Sequence, residues 1–402
     1  MIIARIAFRN ILRQKRRSLL TGLMMVGGFV LASISLGISD GSYSHLIGLF
    51  TRDRTGHVQI HKRGYLDRPS LYKTLEQVEQ IGVQLAAVGE VQAWAPRVYS
   101  PVLAFRGSKT TGGQLVGVDP LREVGTTRLA GKVGRGRFIG AAPVLEVVVG
   151  EGLAEILGAR LGDEIALIAQ GADGSVANDV FAIVGLVQDG VQGRMNCYMH
   201  LETAQEFLAL QGRVHEVAVV LEDQVRARQV AGRLQAALGE DFAVDPWQVV
   251  EKAFYEAMRA DVEGMWVSLL VIMVIVAIGV LNTVLMTILE RTREFGVLRA
   301  LGTRPSDVFK LVVLETACLA GLSAVVGAAL GLLCNYLLSL HGIPLPEPIT
   351  YGGVTFDRMI GKASVQSVWL PALVTWGTAV VVSLIPALRA ARLRPVEAMR
   401  MH

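Results

Sequence analysis

Four long stretches of this 402-residue chain contain no charged side chain. They run from Ser18 to Ser39, from Gly264 to Leu289, from Thr316 to Pro346 and from Ala363 to Leu388. An α-helix needs roughly 20 predominantly apolar residues to cross about 30 Å of hydrocarbon. We therefore predict four transmembrane helices, at residues 18–39, 264–289, 311–340 and 363–388.

The alternative for the first stretch is the apolar core of a cleaved signal peptide, because basic residues precede it and small residues follow near its end. A signal-peptide core has roughly 7 to 15 apolar residues. The first stretch has 22 uncharged residues. This length favours a retained membrane anchor.

A segment of 224 residues, 40–263, separates the first two apolar stretches and mixes two periodicities. Alternation with period two predicts strands at Thr55–Lys62, Val144–Val149, Glu164–Ala169, Asp179–Val187 and Glu216–Leu221. A period near 3.6 predicts helices at Leu71–Val88, Gly152–Leu157, Leu201–Leu210 and Asp223–Leu238.

This segment is long enough to bury a core of its own. We predict an α+β domain in which residues of about 96–213 form an inner lobe inserted into an outer one. The run from Gln248 to Met265 is expected to be helical, which would join the domain to the second apolar stretch through a stiff helix.

The composition agrees with a membrane protein. Apolar residues make up 52% of the chain, and charged residues make up 18%, against about 25% in ordinary soluble proteins. The mean hydropathy is +0.45. These values exclude disordered, collagen-like and disulfide-scaffold classes.

The distribution of Lys and Arg predicts the orientation. There are 6 before Ser18, 5 from Glu290 to Lys310 and 4 after Leu388, but only 2 from His341 to Lys362. The positive-inside rule then places both termini and the 290–310 segment in the cytoplasm. The 40–263 segment has 22 Lys/Arg and 28 Asp/Glu, a net charge of −6, so the overall +4 does not indicate nucleic-acid binding.

The predicted fold class is an α-helical membrane protein with four transmembrane helices and a large α+β extracytoplasmic domain between the first and second. Residues 1–17 form a cytoplasmic amphipathic helix, 290–310 a cytoplasmic loop, 341–362 an extracytoplasmic loop and 389–402 a cytoplasmic tail. The basic side chains of the first segment recur at helical spacing, which is typical of a helix on anionic lipid: Arg5, Arg9, Arg13 and Arg16.

Candidate catalytic and metal-binding residues are few. His57 and His61 are four apart in a strand-like run, so they share a face, but no third ligand is evident and a solvated strand face is the favoured interpretation.

Glu315 lies near the start of the third span. Two interpretations are open for this carboxylate: a role in proton relay, or a position at the interface from which it reaches water. We find no catalytic set and no metal site. We also find no ATP-binding loop, because Gly131–Lys132 lacks the required spacing and hydroxyl residue.

The segment ERTREFGVLRALGTRPSDVFK, which begins at Glu290, predicts two short helices with a bend at Gly302. Its charged residues are interspersed with Phe295, Leu298 and Leu301 at a spacing of three. Such a segment suits docking into a groove on a soluble partner. A solvated connector is the alternative, but it would not need Phe295 or Leu298 to face water.

Three cytoplasmic motifs together carry a specific resemblance. They are RNILRQKRRSLLT from Arg9, ERTREFGVLRALG from Glu290 and PALRAARLRPVEA from Pro386, and VGEGLAEILGARLGDEI from Val149 adds a fourth. In this order they resemble the MacB/FtsX/LolC-LolE superfamily of ABC transporter permeases, over nearly the whole chain.

This resemblance implies a bacterial inner-membrane protein with a periplasmic domain. It implies a dimer with a second permease copy, identical or paralogous, and a partner ABC ATPase dimer that holds ATP and Mg²⁺, so that this chain needs no cofactor and is not itself an enzyme. It also implies that ATP-driven movement is transmitted to the outer domain. The ATPase-coupling residues are expected to be Glu290, Arg293, Glu294, Phe295, Gly296, Leu298, Arg299, Ala300, Leu301 and Gly302.

The size and layout are closest to the lipoprotein-releasing LolC/LolE type. We therefore expect extraction or export of a lipidic or amphipathic cargo such as a lipoprotein, with an extracytoplasmic acceptor protein as a further partner. This function predicts an apolar cavity between the first and second spans. The alternative is an FtsX-like signalling scaffold that controls an extracytoplasmic hydrolase, which predicts no such cavity and an exposed apolar patch on the outer domain.

Overall fold

The computed structural model describes residues 2–13, 15–188, 193–351 and 354–392. The helices in the described residues are α1 (Ile2–Arg13), α2 (Lys15–Phe50), α3 (Val78–Ala86), α4 (Pro120–Thr126), α5 (Glu151–Leu157), α6 (Leu201–Phe207), α7 (Ala227–Leu238), α8 (Trp247–Val250), α9 (Lys252–Glu290), α10 (Thr292–Ala300), α11 (Pro305–His341) and α12 (Gln366–Ala391). Shorter helical turns occur at Thr51–Thr55, Leu129–Lys132 and Gln224–Arg226.

The strands are β1 (Val58–Lys62), β2 (Val91–Arg106), β3 (Lys109–Val118), β4 (Val133–Gly136), β5 (Glu146–Gly150), β6 (Glu164–Gln170), β7 (Val176–Val187), β8 (Asn196–His200), β9 (Glu216–Leu221), β10 (Phe242–Pro246), β11 (Ile343–Tyr351) and β12 (Val354–Met359). In chain order, the first ten strands follow α2 and precede α9.

Among the described residues, four helices are long and apolar enough to cross a membrane: α2 with the turn that follows it, α9, α11 and α12. Each overlaps one predicted span: α2, α9 and α11 contain theirs and are longer than predicted, whereas α12 begins at Gln366 and ends at Ala391, three residues later at each end than the predicted 363–388. The reason is that hydropathy marks only the part that needs hydrocarbon, whereas backbone hydrogen bonding continues into polar residues.

The boundaries of several helices differ from the sequence prediction. Arg16 belongs to α2, not to the amphipathic helix, because α1 ends at Arg13. The predicted helix from Gln248 is interrupted at Glu251, and α9 runs without a break from Lys252 through Gly264 to Glu290. Residues from 393 onward, which include the last part of the C-terminal motif, lie outside the described residues.

The chain divides into two compact units. The first, called here the helix unit, contains residues up to 44, 259–345 and those from 358 onward. The second, called the sheet unit, contains residues 45–258 and 346–357.

Ten strands of the described part of the sheet unit form one mixed sheet. The strand order is β10-β1-β9-β2-β3-β8-β5-β7-β4, and β6 pairs with β2 and β7. The pairs β3–β8 and β5–β7 are parallel, and the other pairs are antiparallel.

Two of the strands that sequence analysis missed, β2 and β3, lie at the centre of this sheet; the others are β4, β8, β10, β11 and β12. Pro96 and Pro101 argue against a strand over Val91–Arg106, and Gly112–Gly113 resembles a loop, yet β2 pairs with β3 from Arg97 to Arg106. Because β2 starts before the predicted lobe boundary at 96 and also pairs with β9, strands of the expected inner and outer lobes share one sheet. Long-range pairing thus overrides local propensity here.

Candidate functional site

The connector between α9 and α11 contains one short helix, α10, and the second helix predicted for this segment is the start of the long helix α11. Helix α10 ends at Ala300, and Gly302 follows with φ +93°, a left-handed conformation that favours glycine at the end of a helix. Pro305 occupies the first turn of α11, where its missing N–H costs no hydrogen bond. The prediction of a bend at Gly302 is confirmed.

One face of α10 is anchored in the helix unit. Phe295 is completely buried, in the same apolar cluster as Ile288, Val308 and Leu311. Gly296 is buried as well, and Leu298 packs partly against this cluster. The expectation that Phe295 faces water is therefore wrong, because it holds α10 in place.

The opposite face of α10 is exposed. Arg293, Glu294 and Ala300 lie on it, and Gly302 is exposed just beyond the helix. Its apolar side chains are Val297, which is 44% exposed, and Leu301, which is 78% exposed. Sequence analysis missed Val297, although its position four residues before Leu301 is the signal that could have found it. We call Arg293, Glu294, Val297, Ala300 and Leu301 the outer face of α10.

A buried guanidinium ties the start of α10 to the third long helix. Arg291 Nε donates to Glu294 Oε2 at 2.9 Å, and Arg291 Nη1 donates to Glu315 Oε2 at 3.0 Å. Its guanidinium carbon also lies 5.2 Å from the centre of the Phe295 ring. Glu315 is thus engaged in an ion pair, which gives this carboxylate a structural partner. Sequence analysis did not single out Arg291 because nothing local shows that its charge points inward.

A second ion pair joins the ends of α2 and α9. Arg17 Nη1 donates to Glu290 Oε2 at 2.6 Å, and Arg17 Nη2 donates to the carbonyl of Thr283 at 2.9 Å. Both ion pairs lie within the helix unit. They connect the residues beside α10 to three of the four long helices.

The N-terminal helix has a basic exposed side. Arg9 and Arg13 are exposed on α1, as is Arg16 on α2, while Ala7 and Ile11 are buried. The side chain of Arg5 lies outside the described part of the chain. This pattern is compatible with α1 resting at a charged interface.

An apolar cavity of about 170 Å³ lies among three of the long helices of the helix unit. Its walls come from α2, α9 and α12, and include Gly28, Ala32, Trp266, Met273, Val276 and Pro371. No charged residue lines it among the described residues. Such a lining accepts hydrocarbon and rejects hydrated solutes, because an ion or unpaired polar group would lose its water without gaining a partner.

The two histidines considered as metal ligands are buried rather than solvated. His57 Nδ1 accepts a hydrogen bond from the backbone N–H of Leu221 at 2.8 Å. Burial, aided by the positive charge of Arg52, lowers the pKa of His57 to about 4. His61 stacks on Tyr65 with ring centres 5.2 Å apart. Within the described residues no group of three or more His, Cys, Asp or Glu side chains has the geometry of a metal site.

Two family models match the chain. The MacB-like periplasmic core domain matches residues 18–237, and the FtsX-like permease C-terminal region matches residues 266–395. The first of these alone spans more than half of the chain.

Individual proteins similar to this chain are described as transport-system components. The lipoprotein-releasing system transmembrane protein LolC of Neisseria meningitidis is 26% identical over 331 residues, which are 77% of this chain and 78% of that protein. The macrolide export ATP-binding/permease protein MacB of Nitrobacter winogradskyi is 29% identical over 224 residues, 54% of this chain and 32% of that protein. A crystal structure of the periplasmic region of MacB from Actinobacillus actinomycetemcomitans has 19% identity and a TM-score of 0.36, and the match covers 49% of this chain and 92% of that one.

Proposed function

Because this chain belongs to the family of ABC transporter permeases with a MacB-like periplasmic core domain and an FtsX-like C-terminal region, we propose that it moves a lipidic or amphipathic cargo, such as a lipoprotein, with energy from a partner ATPase. The family resemblance carried by the sequence motifs is thereby confirmed. ATP and Mg²⁺ would be held by the partner. This chain would supply the membrane helices, the cargo contact and the periplasmic domain that moves.

The apolar cavity among α2, α9 and α12 is the observation that carries the cargo proposal. Extraction of a lipid-anchored molecule requires a place for hydrocarbon among the membrane helices. The cavity provides one, and its walls include the helices that correspond to the first and second predicted spans. An FtsX-like scaffold would not need such a cavity, so the transport function is the better supported of the two.

The relatives support the class of cargo. One relative is described as part of a lipoprotein-releasing system and another as a macrolide exporter. Both descriptions concern molecules with extensive apolar surface. On this basis we place the cargo among amphipathic molecules and name lipoproteins as the first class to examine.

The outer face of α10 supports the proposed ATPase contact. It combines two exposed apolar side chains, Val297 and Leu301, with two exposed side chains of opposite charge, Arg293 and Glu294. Apolar anchors with a polar rim are typical of protein interfaces. In the proposed arrangement, α10 lies in a groove of the ATPase on the cytoplasmic side, a second permease copy completes the dimer, and an acceptor protein collects the cargo outside.

Site-specific photo-crosslinking tests the cargo proposal. A photo-reactive phenylalanine would replace Met273, which lines the cavity, or Val271, which is exposed on the same helix and is not among the lining residues. After irradiation of native membranes, we expect acylated polypeptides among the adducts at Met273 and bulk phospholipid at Val271, as identified by mass spectrometry. Identical phospholipid adducts at both positions would contradict the proposal that the cavity holds cargo.

A further inference from the structure

The sheet unit contains a second and larger cavity that the transport proposal does not use. Its volume is about 600 Å³, within the roughly 300–1,000 Å³ typical of sites for small organic ligands. One wall is a face of the central sheet, with side chains from β1, β2, β3, β8 and β9. We call it the tyrosine–carboxylate cavity, after Tyr65, Tyr99, Tyr198, Glu123 and Glu216, which line it.

The charge in this cavity is centred on one buried arginine and two buried carboxylates. Arg97 is 3% exposed. Its Nη2 donates to Glu123 Oε1 at 2.7 Å, and its Nη1 donates to Glu216 Oε1 at 3.1 Å. Both glutamates are buried. The other charged lining residues are already paired, Arg54 with Glu251 and Asp53 with Lys132. The guanidinium of Arg97 therefore faces two carboxylates, and an excess negative charge in a buried site is costly unless a positive group balances it.

The arginine has little capacity left for an anionic ligand. Its Nε donates to Glu123 Oε2 at 3.1 Å, and Nη1 also donates to the carbonyl of Arg54. Four of the five N–H donors of Arg97 are thus used within the protein. An anion in the cavity would be repelled by the two carboxylates and could gain at most one hydrogen bond from the guanidinium. Binding of an anion is therefore disfavoured.

Beside these groups lies a histidine without a hydrogen-bond partner. His61 is completely buried, its Nε2 is 3.5 Å from Glu216 Oε2, and neither ring nitrogen has a hydrogen-bond partner. The two carboxylates of Glu123 and Glu216 outnumber the one guanidinium of Arg97, so the electrostatics of the cavity favour a positively charged guest.

The rest of the lining suits an organic cation rather than a metal ion. Tyr99 and Tyr198 line the cavity, and the face of a tyrosine ring can attract a cation, whereas the ring of Tyr65 is stacked on His61 and His215. Val116, Val118 and Leu129 provide apolar wall on the same cavity. The cavity is far larger than a single ion needs, and the described residues hold no set of metal ligands.

We propose that the tyrosine–carboxylate cavity binds a small organic cation, with its ammonium group near Glu216 and Glu123 and its apolar part against Val116 and Leu129. This site is separate from the apolar cavity of the helix unit. A guest there would belong to a different chemical class from a hydrocarbon chain. The proposal does not depend on the identity of the transported cargo.

Three probes of nearly equal size and different charge test this proposal: benzylammonium, benzyl alcohol and benzoate. Each would be titrated at pH 7.5 into the full chain in lipid nanodiscs, with empty nanodiscs as the baseline, and binding measured by calorimetry or saturation-transfer NMR. We expect benzylammonium to bind about tenfold more tightly than benzyl alcohol, since a charge-assisted hydrogen bond exceeds a neutral one. Benzoate should not bind.

Two variants locate the binding. Glu216→Gln removes one carboxylate charge and should weaken benzylammonium binding about tenfold, whereas Glu240→Gln at an exposed turn should leave it unchanged. Gln114→Trp fills the cavity from its exposed rim without altering the buried charges, and it should abolish binding even if Glu216→Gln impairs folding.

Three results would overturn the proposal. The first is the absence of specific binding by any of the probes, which would mean that the cavity holds water only. The second is preferential binding of benzoate. The third is unchanged benzylammonium affinity in Gln114→Trp, which would place the probe elsewhere.

Discussion

At the scale of single residues, burial determines which charge state and which hydrogen bonds an ionisable side chain can have. His57 resembles one half of a metal site in the sequence. In the structure it is buried next to β1, and its Nδ1 accepts the N–H of Leu221. The neutral ring is the form that fits this place, because a charged ring would lose its hydration there.

This environment predicts a pH dependence of the stability of the sheet unit. The pKa of His57 falls from 6.5 in an unfolded chain to about 4 in the fold. Between these values the unfolded chain binds the proton and the folded chain does not, so the free energy of unfolding is highest above pH 6.5 and falls as the pH drops towards 4. The loss from this one residue amounts to at most about 3 kcal/mol.

Hydrogen exchange of the β1 and β9 amides in the full chain, corrected for intrinsic rates, measures this effect. His57→Asn keeps an acceptor for Leu221 but has no titratable ring. We expect the protection of the wild-type amides to decrease more steeply from pH 6.5 to 4.5 than that of the variant. Parallel curves for the two proteins would show that His57 does not titrate in this way.

At the scale of elements, small residues determine how α2 and α11 pack. Asn335 Nδ2 donates to the carbonyl of Ser33 at 3.0 Å, and Gly331 lies against Ser33 one turn away. A Cβ added at Gly331 would lie 2.6 Å from Ser33 Oγ. Close approach through small residues and interhelical polar contacts is a common means of association for membrane helices. Gly327 and Gly331 form a G-x-x-x-G spacing, so this contact had a signal in the sequence.

Gly331→Val should therefore force α2 and α11 apart. Overpacking of this kind costs roughly 1–3 kcal/mol. Gly321→Val is the matched control, because it is the same substitution in the same helix with no neighbouring atom within 4 Å of the new Cβ. We expect the midpoint of thermal unfolding in detergent to fall for the first variant and to stay near wild type for the second. Equal midpoints would argue against a tight α2–α11 contact.

At the scale of the whole molecule, α10 has one side buried in the helix unit and one side exposed. Phe295 and the ion pair of Arg291 with Glu315 hold α10 to the helix unit. The outer face is exposed, and we propose that the partner ATPase docks there. A rigidly held helix with an exposed apolar edge is suited to transmit the movement of a docked ATPase to the long helices.

The coupling proposal predicts that Leu301→Asp separates the permease from its ATPase. Loss of a central apolar anchor typically costs 2 kcal/mol or more, which corresponds to roughly 30-fold weaker association. Leu121→Asp is the control, because Leu121 is 76% exposed in the sheet unit and lies on no proposed interface. We expect the ATPase to co-purify with tagged wild type and Leu121→Asp, but not with Leu301→Asp. If Leu301→Asp retained the ATPase and its transport-linked hydrolysis, α10 would not be the docking element.

Much of the candidate site could be predicted from the sequence. The α10 connector was identified by its charged residues, its apolar spacing and Gly302, all of which act within a few residues of one another. The inward orientation of Phe295 and the exposure of Val297 could not be predicted. Phe295 and Val297 are both apolar residues of the same short helix. Only the packing of α9 and α11 against α10 determines that Phe295 is buried and Val297 is exposed.

The amino-acid sequence by itself determined the four apolar helices and the mixed domain between α2 and α9, because charge-free length and local periodicity follow directly from residue order. It also carried the family motifs. The tertiary structure alone decided that β2 and β3 are central strands despite their prolines and glycines, that Arg291 and Glu315 form a pair, and that Arg97 is enclosed with two carboxylates. The ion pairs join residues between 24 and 119 positions apart, and β2 owes its central place to pairing with the distant strand β9. Such contacts depend on how the whole chain folds rather than on any local pattern.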